Sequence, residues 1–226
     1  NIENTAYIFY TDTTDLKFRK INILNPSTLT TEQNFATDLE STDLKFDAVN
    51  ISNKIFVAYQ ASGSVIKAGT VDISDNLSSV ITVAGESASD ALNVVTDSQS
   101  RFLVNYSNGT EVKLFVYSFT LGAQVLAPTI IETISSVTNV AVHETDAANE
   151  DYRLYYEVSA ASVKNHFIKT NTINIDSTLG TPTIIKRSVG MASKPFLHDN
   201  TSYITTIHES TLQSSYFMIN SSGEIV

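Results

Sequence analysis

Short apolar runs broken by brief polar stretches recur along the whole chain, and none holds the 3.6-residue spacing of an amphipathic helix. One pattern repeats. A β-rich block ends in tyrosine, a small polar turn follows, and a second β-rich block opens with a lysine. The blocks are Ala6–Tyr10, Ile55–Tyr59, Phe102–Tyr106 and Arg153–Tyr156. Their tyrosines, Tyr10, Tyr59, Tyr106 and Tyr156, are spaced by 49, 47 and 50 residues, and Lys17, Lys67, Lys113 and Lys164 follow seven or eight residues later. A degraded fifth copy reads Tyr203–Ile207. Because Ile55–Tyr59 and Phe102–Tyr106 are apolar almost throughout, they predict strands buried on both faces.

Each unit resolves into four strands. The first is short and apolar: Phe46–Val49, Ala91–Val95, Asn139–Val142 and Pro195–Leu197. The second ends in tyrosine. The third covers Leu16–Ile23, Val65–Ile73, Val112–Phe119, Val163–Ile173 and Leu212–Ile219. The fourth is Thr-rich: Thr31–Ala36, Val80–Val83, Thr129–Thr133 and Thr183–Lys186. Asn108-Gly109 predicts a type I′ hairpin with two positive-φ residues, and Asn25-Pro26-Ser27 reads as a turn. Short connections predict antiparallel neighbours. A strand repeat of this period is the mark of a propeller blade. The expected fold is therefore all-β, a β-propeller of about five four-stranded antiparallel blades, the first lacking its inner strand. A two-sheet sandwich is the rival, and it requires no such repeat. The blades are set at 1–40, 41–86, 87–134, 135–190 and 191–226, as one domain or a fragment of one. The last copy ends soon after its third strand. Closure is expected from sequence outside this chain or from its two ends meeting, with flanking chain or a partner covering the open edge.

Composition narrows the partners. The 226 residues carry 24 acidic and 14 basic side chains, a net charge of −10, with no Cys and no Trp. Dispersed cations in an acidic chain exclude a phosphate-tracking stripe and an attraction to anionic membranes, so no nucleic-acid partner is expected. No apolar run is long enough to insert in a bilayer. Without Cys there is no disulfide or thiolate chemistry. The chain opens on a strand without Met, as a processed product or a piece of a longer protein does.

Candidate chemistry lies just past the inner strands, where polar pairs recur: Thr96-Asp97, His143-Glu144 and His198-Asp199, with Asn50 at the first. The binding candidates at one mouth of the propeller are His143, Glu144, His198, Asp199 and Asp97, since imidazole and carboxylate suit a polar ligand or a divalent metal. The competing reading is solvated strand ends. Acidic residues at 144–151 (Glu144, Asp146, Asn149, Glu150, Asp151) could hold calcium, but they lack the glycine of a calcium loop and read equally as a solvated hairpin. Tyr7, Tyr152 or Tyr216 could stack on a sugar; the alternative is burial between blades. A glycosidase needs paired carboxylates, for which Asp47, Asp97, Glu144 and Asp199 are the candidates. No cofactor motif is present. The recurring Tyr and Lys read as structural.

The segments Ile55–Ile73 and Phe102–Phe119, an apolar tyrosine strand, a small polar turn and a strand opening on Val and Lys, resemble the propellers of phage tail (nozzle or tail tubular) proteins. The resemblance implies a non-enzymatic structural and docking propeller in a virion or another extracellular assembly. Its partners would be other protein subunits, in a homo-oligomer or a longer chain, and no catalytic residue is carried over. The alternatives are a glycan- or receptor-binding module using one mouth, and a glycoside hydrolase.

Overall fold

A computed structural model of the chain describes residues 4–40, 45–78, 80–88, 91–118, 123–159, 167–187, 189–191, 196–198, 201–208, 214–219 and 225, with side chains up to 185 and at 218, 219 and 225. Described strands form five separate antiparallel sheets. Sheet 1 holds β1 (Thr5–Asp12), β2 (Asp15–Asn22), β3 (Asn25–Leu29) and β4 (Gln33–Ala36). Sheet 2 holds β5 (Phe46–Ile51), β6 (Lys54–Ala61), β7 (Val65–Asp72) and β8 (Ile81–Ala84). Sheet 3 holds β9 (Ala91–Thr96), β10 (Arg101–Ser107), β11 (Glu111–Ser118) and β12 (Ala123–Thr133). Sheet 4 holds β13 (Val137–Asp146), β14 (Asp151–Val158), β15 (Phe167–Asn174) and β16 (Thr183–Arg187). Sheet 5 holds β17 (Val189–Met191), β18 (Phe196–His198), β19 (Thr201–His208) and β20 (Ser214–Ile219).

Sheets 2, 3 and 4 are meanders in chain order. Sheet 1 lacks the inner strand: β1 is the tyrosine strand itself, and β3 and β4 both pair with β2. In sheet 5, β17 and β18 lie along one side of β19 as an inner strand in two pieces. Outer strands are likewise broken in sheets 1, 2 and 4. Leu29, Leu77 and Leu179 each pair with the third strand ahead of a break, and pairing resumes at β4, β8 or β16 after a register shift. Asn25-Pro26-Ser27, expected as a turn, starts β3, where proline is tolerated at the start of an edge strand.

The chain divides into two compact units, Asn1–Ala88 and Ser89–Val226. In the first, Tyr7, Phe9, Leu16, Phe18 and Phe35 of sheet 1 pack on Ile55, Val57, Tyr59 and Val71 of sheet 2. In the second, Leu103, Leu114 and Val116 of sheet 3 pack on Val140, Val142, Leu154 and Tyr156 of sheet 4. A smaller cluster joins Tyr155 and Ile168 of sheet 4 to Ile219 of sheet 5. β10 is buried along its whole length, and β14 everywhere but its first residue, as the unbroken apolar runs require.

The recurrent tyrosine and lysine are cross-strand partners: Tyr10↔Lys17, Tyr59↔Lys67, Tyr106↔Lys113 and Tyr156↔Lys169. Lys169 therefore replaces the expected Lys164, which lies outside the described residues. A carboxylate from the preceding sheet clamps two of these pairs. Asp38 accepts from the Tyr59 hydroxyl at 3.1 Å and from Lys67 at 2.6 Å. Glu132 does the same for Tyr156 and Lys169. Burial, and then the carboxylate, push both phenols well above the ordinary tyrosine range, so both remain donors. In sheet 1 the clamp comes from the sheet's own Glu32, which takes Tyr10 and Lys17.

Turn chemistry follows short polar side chains. Asp72, Asp97 and Asp146 each accept backbone N–H groups two to four residues on. The Asn108-Gly109 turn differs from the expected type I′. Only Gly109 has positive φ, at 93°, while the Asn108 side chain accepts from the Thr110 and Glu111 amides.

Candidate functional site

Asp97 closes the hairpin between β9 and β10. Its carboxylate, with a fully buried side chain, accepts from Arg101 Nε at 2.5 Å, from the Tyr152 hydroxyl at 2.9 Å, and from the amides of Gln99 and Arg101. Arg101 also reaches Glu150 at 3.0 Å and the Tyr152 hydroxyl at 2.6 Å. Burial and the Asp97 charge push the Tyr152 hydroxyl well above the usual range. This network joins sheets 3 and 4 and leaves Asp97 no open valence for a ligand.

Glu144 accepts from the Ser98 amide at 2.9 Å and from its hydroxyl at 3.0 Å, a second clip between the same sheets. His143, one residue earlier, faces the other side of β13, because successive side chains alternate. It stacks on Tyr155 with ring centroids 5.5 Å apart. Burial first, and then the Arg153 charge, pull its pKa down to about 4, so it is neutral at physiological pH. Asp97 and Glu144 thus share one contact while His143 belongs to another. The side chain of His198 and all of Asp199 lie outside the described residues. Among the sugar-stacking candidates, Tyr152 is fully buried and Tyr7 donates its hydroxyl to the Asp72 carbonyl at 3.0 Å; the Tyr216 side chain is not among those described. Among the described residues no three His, Asp or Glu side chains are grouped to hold a metal ion. The acidic hairpin at 144–151 spends its carboxylates internally: Asp146 on its own turn, Glu150 on Arg101 and Gln99, and Asp151 on Asn174 at 2.7 Å.

A polar cleft of about 410 Å³ opens on sheet 4, lined by Thr145, Asp146, Asp151, Arg153, Thr172, Ile173, Asn174, Thr178, Leu179 and Gly180. Register builds it. Asp146, Asp151 and Asn174 form one row across β13, β14 and β15; Arg153 and Thr172 lie two residues further in on β14 and β15, and a register shift between Glu144 and Asp146 sets His143, three residues back, opposite Arg153. The period of two puts both rows on one face. Segment 178–180 forms the wall, with the Gly180 amide donating to the Thr172 carbonyl at 2.7 Å. A Cβ at Gly180 would stand 2.2 Å from Thr172 Oγ1, so only glycine allows the wall this close. Asn149 and neighbouring amides hold Asp146 below the ordinary carboxylate range, so it stays anionic. Arg153 and Asn174 were not singled out from sequence. The register of β14 with β13 and β15, fixed once the hairpins are aligned, is the signal that finds them.

No family model matches this sequence, and no curated protein does. Solved structures do. The exo-β-1,3-galactanase of Phanerochaete chrysosporium matches over 100% of this chain and 61% of its own, at 11% identity and a TM-score of 0.59. A GH43 endo-arabinanase from Bacillus licheniformis matches over 100% and 94%, at 13% identity and 0.53. A member of the DUF4221 family from Bacteroides vulgatus matches over 92% and 76%, at 11% and 0.54. The chain is a β-propeller. It has five four-stranded blades, the first without its inner strand, and the sandwich alternative falls away. The chain spans about three-fifths of the galactanase it matches. These neighbours do not support the likeness to phage tail proteins. They also overturn the expectation of a non-enzymatic docking scaffold, since the propellers this chain resembles include a galactanase and an arabinanase. The misreading has a physical reason. Ser, Thr and Asn at turns and rims are what a low-glycine blade needs, whatever it does, so that composition carries no functional information.

Proposed function

We propose that this propeller acts on carbohydrate, as a glycoside hydrolase whose glycan lies in the cleft on sheet 4. The observation that carries the reading is the pairing of Asp146 with Asp151 on adjacent strands beside Arg153. Directly opposed cross-strand positions hold Cβ atoms about 4.5–5.5 Å apart, so the two side chains give the cleft the pair of carboxyl groups that glycoside hydrolysis uses. Asp146, held anionic by the Ala148 and Asn149 groups that donate to it, is suited to stabilise positive charge developing at the anomeric carbon. Asp151 is placed to protonate the leaving oxygen as the glycosidic bond breaks. Arg153, Asn174 and Thr172 offer the hydrogen bonds that orient sugar hydroxyls. The galactanase and arabinanase neighbours support the substrate class.

A second reading, glycan binding without hydrolysis, is favoured by one observation. Every described carboxylate whose pKa is displaced has it lowered (Glu32, Asp72, Asp146 and Asp176), whereas a general acid works best with its pKa raised. The deciding experiment offers galacto- and arabino-oligosaccharides to the chain and measures binding by calorimetry and reducing-sugar release. Hydrolysis that falls at least 100-fold in Asp151→Asn, with binding retained, supports the first reading. Binding without release, lost in Arg153→Gln, supports the second. Neither binding nor release across the panel overturns both.

A further inference from the structure

Sheets 2, 3 and 4 show what sits beside each tyrosine strand: β5, β9 and β13 pair antiparallel with the far edges of β6, β10 and β14. β1 has the same place in sheet 1, yet among the described residues nothing pairs with its far edge. A bare strand edge is a template for another strand.

Beside this edge lies an apolar slot of about 180 Å³, lined by Ala6, Tyr7, Phe9, Ala48, Val49, Asn50 and Ile55. Tyr7, Phe9, Ala48 and Ile55 also belong to the core shared by sheets 1 and 2, so the slot continues an interface already formed. A strand laid along β1 would direct alternate side chains into it. Sheet 3 supplies the template. Ala91, Asn93 and Val95 of β9 lie in register with Ser107, Asn105 and Leu103, and Ala91 and Val95 join the core with sheet 4. All three are uncharged.

We propose that the edge of β1 docks an added strand of this chemistry: an uncharged extended segment of six residues, the length of β5 and β9. It runs antiparallel to β1, with small or β-branched side chains at alternate positions entering the slot. Main-chain hydrogen bonds supply the affinity and the slot supplies the selection. The surface is independent of the cleft on sheet 4 and of its activity.

The test is hydrogen exchange on the full chain with a synthetic, terminally blocked peptide carrying the sequence of residues 91–96. The expected result is slowed exchange in β1, absent with a scrambled peptide. Ala48→Phe, which fills the slot from β5, should weaken the peptide at least tenfold with circular dichroism unchanged. If that variant misfolds, Ala6→Asp on the edge replaces it with the same expected loss. No protection of β1 at saturating peptide, equal protection by the scrambled peptide, or undiminished binding by the slot-filled variant would overturn the proposal. A concentration-dependent dimer in sedimentation that protects β1 and excludes the peptide would also overturn it, by giving the edge to a second copy.

Discussion

Asp97→Asn is the sharpest probe of how sheets 3 and 4 hold together. The substitution keeps shape and the acceptor for two backbone amides, but removes the charge facing Arg101. The two side chains are 0% and 6% exposed and stand 2.5 Å apart. Without the carboxylate, the guanidinium keeps, among the described residues, Glu150 as its anionic partner, at 3.0 Å and 30% exposed. Breaking one side of a buried pair costs about 3–5 kcal/mol, against a total stability of roughly 5–15 kcal/mol. With a urea slope of about 2–3 kcal/mol/M the midpoint should fall by roughly 1–2 M. Arg101→Met should also destabilise, because it leaves the carboxylate buried. The double variant Asp97→Asn/Arg101→Met removes both charges, so its loss should fall short of the sum of the single losses by about 2–3 kcal/mol. Urea unfolding followed by circular dichroism gives all four corners of the cycle. A single-variant cost below about 1 kcal/mol, or an additive cycle, would refute the claim that this pair is buried and coupled.

Asn105 is fully buried on β10, with neither its amide nitrogen nor its oxygen hydrogen-bonded. Asn105→Leu should therefore be neutral or stabilising, by up to about 1–3 kcal/mol; a thermal melt that falls by several degrees would show that the amide has a partner after all. His143 gives a pH signature. Its folded pKa of about 4 lies below the ordinary 6.5, so the native state resists the proton that the unfolded chain accepts. The stability is full above about pH 6.5 and is lost as pH falls toward 4, by about 2–3 kcal/mol in total. His143→Gln should flatten the urea midpoint between pH 6.5 and 4, and an unchanged slope would place His143 in water.

The repeat made most strands legible. Tyrosine at the end of an unbroken apolar run marks a strand covered on both faces, and β6, β10 and β14 fall where that reading puts them. Failures came where spacing stood in for register. Lys164 follows Tyr156 at the expected interval, but the connection after β14 is longer, and the partner is Lys169. The site was less legible for the same reason. Asp97 and Glu144 look like free polar strand ends in sequence. Their partners Tyr152 and Ser98 lie 55 and 46 residues away and become neighbours only once sheets 3 and 4 stack. Asp146 and Asp151 were visible as an acidic stretch, but their opposition across a hairpin beside Arg153 is a property of strand register.

Interrupted outer strands have a consequence for solution behaviour. Where pairing breaks off after Leu29, Leu77 or Leu179 and resumes displaced, the rims of sheets 1, 2 and 4 offer a foreign chain a shorter straight run of unpaired amides. β1 has no such interruption: eight residues pair continuously with β2, and its other side stays bare among the described residues. Clumping on storage or gentle heating should therefore begin at the amino-terminal sheet, and a charge at Ala6 should delay it more than a charge placed on one of those interrupted rims.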